Sequence, residues 1–83
     1  MTNNEALNRL PHLTWDQLAV LYTIFNRRTI QAAPASRSAA IWMNRRERVV
    51  GEIDRRGVVI RRLFDGTYAV GPAAHFEPIE VAR

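Results

Sequence analysis

Ile53-Asp54-Arg55-Arg56-Gly57-Val58-Val59-Ile60-Arg61-Arg62, followed by Leu63-Phe64-Asp65-Gly66-Thr67-Tyr68-Ala69-Val70, decides the fold. Gly57, after a charged run, stops a helix, because glycine readily takes the left-handed conformation that closes a helix C-terminus. Val58 to Phe64 is β-branched or aromatic apart from two arginines and Leu63, which is strand composition. Asp65-Gly66 is a two-residue hairpin signal. Thr67 to Val70 returns, and Gly71-Pro72 ends the pairing. Such a turn sets Phe64 opposite Thr67, Leu63 opposite Tyr68 and Arg61 opposite Val70. The expected class is therefore α+β, with two or three helices followed by a β-hairpin.

Upstream of Gly57, Ser36 is an N-cap, and residues 37–56 read as one long helix. Ala39, Trp42, Met43, Val49, Val50 and Ile53 share one face of it. Arg37, Ile41, Asn44, Arg48 and Arg55 share the opposite face, with Arg45 and Glu52 beside them. Two residues disturb this pattern. Gly51 costs about 1 kcal/mol inside a helix, and Arg46 falls in the apolar stripe. Either Arg46 pairs across the core or snorkels outward, or the helix breaks near Asn44.

Nearer the start, Thr14 and Gln17 form a capping box, with Leu13 and Leu18 at the staple positions. Trp15, Leu18, Ala19, Leu21, Tyr22 and Phe25 then recur at helical spacing, and the helix is expected to end near Asn26. Residues 27–35 read either as a short strand at Thr29-Ile30-Gln31 or as a stunted helical turn before Pro34. Thr2 and Glu5 form another capping box, opening a short helix with Leu7 and Leu10 that Pro11 stops. A single domain over residues 1–83 follows: a short helix and linker at 1–12, a helical core plus hairpin at 13–72, and an extended tail at 73–83.

All twelve basic residues are arginine. Residues 27–62 hold ten of them against Glu47, Glu52 and Asp54, a net +7, while the rest of the chain carries −3, which together make the overall +4. Clustered guanidinium groups attract phosphate and fork onto it, so a polyanion-facing surface is expected.

This order of core helix, connection, basic amphipathic helix, glycine stop and basic hairpin resembles the second half of a winged helix-turn-helix domain. The matching stretch runs from Ser36 to Val70, most closely from Ile53 to Arg62. The resemblance implies a last helix in the major groove and a hairpin wing on the adjacent phosphate backbone. It implies Arg37, Ser38, Asn44, Arg45 and Arg48 at the nucleic-acid surface, with the arginines on phosphate or guanine and Asn44 on adenine. Arg61 and Arg62 alternate along the wing strand, so one of the two meets phosphate. The family also has a separate second helix. That helix is either a degenerate turn at Thr29–Ala33, or Arg37–Asn44, with Arg45–Arg56 then the third and Arg45, Arg46 and Arg48 facing DNA. Arg27 and Arg28 either complement a helix's negative end or touch phosphate.

Cysteine is absent, which removes disulfides, thiolate zinc sites and thiol nucleophiles. His12 and His75 stand without neighbouring nucleophiles, and no metal-ligand spacing or glycine-rich phosphate loop is present. No enzyme activity, cofactor or metal is expected. No apolar run approaches the roughly 20 residues that span a bilayer, so a soluble cytoplasmic domain is expected. Two functions fit. One is a DNA-binding transcription regulator of repressor type that binds double-stranded DNA, with a homodimer formed through Phe76, Ile79 and Val81. The other is a phage- or plasmid-type inhibitor or adaptor that sets its arginines against an acidic protein partner. Trp42 serves core or dimer packing in either, with base stacking as the alternative.

Overall fold

Side-chain caps start each of the three helices in the computed structural model, which describes residues 1–76. Helix α1 (Asn3–Leu7) begins at Thr2, whose Oγ1 accepts the Glu5 amide at 3.2 Å. Helix α2 (Trp15–Gln31) carries a complete capping box. The Gln17 amide donates to Thr14 Oγ1 at 3.1 Å, and the Thr14 amide donates to Gln17 Oε1 at 2.8 Å. Helix α3 (Arg37–Arg55) begins at Ser36, whose Oγ accepts from the Ala39 amide at 3.1 Å. The Thr2 box is only half made, because Glu5 accepts the Thr2 hydroxyl rather than a backbone amide. A 3₁₀ turn at Leu10–His12, with Pro11 in its first turn, links α1 to α2. Strands β1 (Val59–Arg62) and β2 (Tyr68–Gly71) form one antiparallel hairpin, and a second 3₁₀ turn follows at Ala73–His75. The class is α+β, three helices and a two-stranded sheet.

The main apolar seam runs between α2 and α3. Leu18 and Phe25 of α2 and Val49 and Ile53 of α3 are fully buried. Ala6, Leu7, Leu10 and Leu13 close one end of this core, and Val58 and Val70 bring the hairpin onto it. Tyr22 and Tyr68 meet edge to face at 4.8 Å and fix the hairpin against α2.

Several expectations are corrected. Helix α2 does not end near Asn26 but runs five residues further, to Gln31. Asn26 is buried, and its side chain bonds Tyr68 and Arg46 instead of capping. The stop comes at Ala32, where Pro34 disfavours helix at the preceding Ala33. Neither a short strand nor a separate turn of helix lies before Pro34. Helix α3 is unbroken at Asn44, which removes the division into Arg37–Asn44 and Arg45–Arg56. Met43, expected on the apolar face, is exposed, and Glu52, expected beside the charged face, is buried.

The hairpin register differs by one residue from the two-residue-turn expectation. Arg61 lies opposite Ala69, Arg62 opposite Tyr68 and Ile60 opposite Val70. The Leu63 amide donates to the Thr67 carbonyl at 2.8 Å, and the Gly66 amide to the Leu63 carbonyl at 3.1 Å. The loop is thus three residues, Phe64-Asp65-Gly66, with Gly66 at φ +85° in the left-handed position such loops need. Asp65 locks it by accepting from the Thr67 amide at 2.9 Å and the Thr67 hydroxyl at 2.6 Å. Gly57 closes α3 at φ +71°. Phe76, apolar enough to dock on the core or on another subunit, is half-buried close to Gly71. Ile79 and Val81 lie outside the described residues. Among the described residues no helix is long and apolar enough to cross a membrane.

Glu52 anchors the C-terminal end of α3. Its carboxylate accepts from the Arg55 guanidinium and from Arg56 Nε at 2.7 Å, while Arg56 Nη2 reaches the Leu10 carbonyl at 2.8 Å. Arg48, one turn before Glu52, donates to the Leu7 carbonyl at 3.3 Å. Hydrogen bonds from Arg55 and Arg56 hold the Glu52 carboxyl at about 2, against the opposing effect of burial. A lowered folded-state pKa adds stability that is complete above the ordinary carboxyl value and fades as pH falls towards 2. Glu52→Gln is expected to lower unfolding free energy at pH 7 by roughly 1.5–3 kcal/mol and to flatten the loss of stability between pH 5 and 2, read from urea midpoints across that range. Gly51→Ala is expected to raise stability by about 1 kcal/mol, measured as a higher melting temperature, because a Cβ at this helical position meets nothing within 4 Å.

Candidate functional site

At 100° per residue, Arg37, Ile41, Asn44, Arg48, Gly51 and Arg55 fall within about 80° of arc on α3. All six are exposed. From Arg37 to Arg48 the stripe rises about 16 Å. Arg55 is engaged by Glu52, which raises its pKa, whereas Arg37 and Arg48 have no ion-pair partner among the described residues. The mid-stripe glycine leaves the α3 backbone open to close approach.

Arg45 projects beside this stripe, with exposed Ser38 seven residues before it on the same side. Its guanidinium lies 4.9 Å from the Trp42 ring centre, and Arg28 of α2 lies 5.6 Å from the same ring. Trp42 in turn rests on Phe25 at 6.0 Å. One indole therefore steadies two guanidinium groups at the junction of α2 and α3 by cation–π attraction. Trp42 is half-buried packing, as expected of it, and its ring also organises charge.

The wing arginines take different settings. Arg62 shares a concavity of about 310 Å³ with Arg27, Gln31 and Tyr68, between α2 and the hairpin. Arg61 lines a second concavity with Leu63, Phe64 and Phe76, which Arg62 also borders. Phe64 is fully exposed at the tip. Two carboxylates, on the hairpin and on α3, are already used. Asp65 is held below its usual range by the Thr67 hydrogen bonds, and Glu47 sits 3.7 Å from Arg46.

Arg46 explains its own misfit. Its Nη1 donates to Asn26 Oδ1 at 2.9 Å, and Asn26 Nδ2 donates to the Tyr68 hydroxyl at 3.1 Å. This chain ties α3, α2 and β2 together through one buried amide. Burial raises the pKa of Tyr22, whose ring packs against Tyr68.

The seven residues chosen from sequence thus fall into three groups. Arg37, Asn44 and Arg48 share the outer stripe of α3; Ser38 and Arg45 flank it beside Trp42; Arg61 and Arg62 lie on the hairpin. Arg27 and Arg28 were not among them. Ending α2 near Asn26 put both past the helix, whereas they project from its last turns. An unpaired arginine in the apolar stripe of α3 was the available signal that a polar partner lay on α2. His75 stacks edge-on with Trp15 at 6.1 Å. Among the described residues no three His, Cys, Asp or Glu side chains gather as metal ligands would.

Compared with known proteins, the chain matches no family model, no curated protein and no solved structure.

Removing the Asn26 amide leaves the half-buried Arg46 guanidinium without its acceptor. Asn26→Ala is expected to cost roughly 1.5–3 kcal/mol and Tyr68→Phe about 1 kcal/mol. In a double-mutant cycle measured by urea unfolding, the pair should couple by at least about 0.5 kcal/mol. Additive losses would mean that the hydrogen-bonded chain has no joint effect.

Proposed function

We propose that this chain is a small DNA-binding transcription regulator that works as a winged helix. In this reading α2 and α3 are the helix-turn-helix pair, residues 32–36 are the turn, and β1–β2 is the wing. Helix α1, a single turn, and the 3₁₀ turn after it stand where the family has its first helix. The observation that carries the reading is the exposed stripe of Arg37, Asn44 and Arg48 on a 19-residue helix, with Arg61 and Arg62 exposed on the hairpin that follows. A helix fits the major groove, where arginine forks onto guanine and asparagine onto adenine. Gly51 favours the same reading, because the bare backbone lets a groove wall come close. The net +7 of residues 27–62 supplies the long-range attraction. One such helix covers few base pairs, so tight recognition takes two copies on a two-fold site.

A second reading is favoured by one observation, the apolar tip of the hairpin. Phe64 and Leu63 are exposed next to Arg61 and Arg62, a surface that also suits an acidic protein partner with an apolar anchor.

Fluorescence anisotropy on duplex DNA separates the two. DNA binding is expected to weaken about 10³-fold between 50 and 200 mM salt. Arg48→Ala and Arg45→Ala are each expected to weaken binding to every sequence and to lower the salt slope by about 1, while Asn44→Ala relaxes preference at one base pair by about 1–3 kcal/mol. Absence of duplex binding at low salt would hand the function to the protein partner, with Phe64→Ala as the variant that abolishes it.

A further inference from the structure

The concavity between α2 and the hairpin is lined by Thr23, Asn26, Arg27, Ile30, Gln31 and Arg62, with Gly66 and Tyr68 closing its hairpin side. No carboxylate is among them. Elsewhere, arginines at helix junctions have acceptors: Arg55 and Arg56 have Glu52, and Arg46 has Asn26. Arg27 and Arg62 have none among the described residues, yet their elements bring them to one hollow. Two arginines bordering one hollow offer guanidinium forks to an anion held between them.

Of the remaining groups, only some have a donor to spare. Thr23 is spent, since its hydroxyl donates to the Ala19 carbonyl at 2.8 Å and accepts the Tyr68 amide at 3.2 Å. Gly66 is spent on the Leu63 carbonyl. Tyr68 is different. Its hydroxyl oxygen accepts from Asn26, so its own hydrogen is left to donate, and it finds no acceptor among the described residues. Arg46 polarises this chain from behind, because each hydrogen bond in a series strengthens the next. The ring cannot swing away, being held edge-on by Tyr22. Gln31 adds an amide NH₂ at the rim.

We infer that the hollow formed by Arg27, Gln31, Arg62 and Tyr68 is a phosphate-binding site. The chemistry fits a tetrahedral oxyanion. Two guanidinium forks take two oxygens, and the phenol O–H takes a third. The site lies off the outer stripe of α3 and stands on its own donors, so it does not require α3 to read DNA. Its phosphate belongs either to a nucleic-acid backbone or to a free phosphate or phosphomonoester; the oxygens offered are the same.

The test uses the full chain and the ¹H–¹⁵N signals of its arginine Nε and glutamine side-chain groups. Inorganic phosphate, dimethyl phosphate and a 16-base-pair duplex are titrated separately at constant ionic strength, with chloride as control. The expected result is saturable phosphate shifts confined to Arg27, Arg62 and Gln31. Arg27→Ala abolishes them, Tyr68→Phe weakens binding by about tenfold or more, as loss of one hydrogen bond to an anion implies, and Arg9→Ala leaves it unchanged. Arg27 is exposed, so its variant keeps the fold. Shifts spread evenly over all arginines, shifts that never saturate, or equal affinity in wild type and Tyr68→Phe would each overturn the site. Phosphate shifts without any duplex binding would support the site as one for free phosphate or a phosphomonoester and sink the DNA reading. Duplex that displaces phosphate from Arg27 and Arg62 would support it as a backbone anchor.

Discussion

A single buried amide sets the arrangement of this small fold. Asn26 accepts from Arg46 of α3 and donates to Tyr68 of β2, so one side chain on α2 holds the other two elements. The apolar seam of Leu18, Phe25, Val49 and Ile53 supplies most of the driving force for packing α2 on α3, but apolar contact is non-directional. Directional bonds resist sliding and rotation. An α2 turned by one residue would leave Arg46 half-buried without an acceptor, and an unmade hydrogen bond in such a place costs more than a made one contributes.

The same amide links architecture to charge. With Arg46 held by Asn26, Arg48 by the Leu7 carbonyl, and Arg55 and Arg56 by Glu52, four of the ten central arginines make hydrogen bonds within the structure. The others divide between the outer stripe of α3, the Trp42 junction, the hollow beside the hairpin and the hairpin itself. The cationic surface is therefore several short ridges about a common helix pair, not one continuous band. A duplex is long enough to touch more than one of them, whereas a single phosphate group occupies one.

Local sequence signals were legible where a few neighbouring residues decide the outcome. The Thr14–Gln17 box, the Ser36 cap, the stop at Gly57 and the existence of a hairpin after it all rest on backbone preferences within four or five residues. The candidate site was legible in part. Arg37, Asn44 and Arg48 share a face by helical periodicity alone, and helix α3 keeps that periodicity for 19 residues. Arg27 and Arg28 were read as lying past a helix end, because Asn26 looks like a cap when its buried partners are unknown.

What the amino-acid sequence determined by itself was the order of elements, the caps that begin the helices and the concentration of positive charge between residues 27 and 62. Tertiary structure alone decided where α2 ends, which register the hairpin takes and which arginines keep their charge unmatched. The reason is physical. Caps and turns are settled by groups a few residues apart, but the partner of Asn26, of Arg46 or of Tyr68 lies twenty or more residues away. Only packing the core brings such groups within reach of each other.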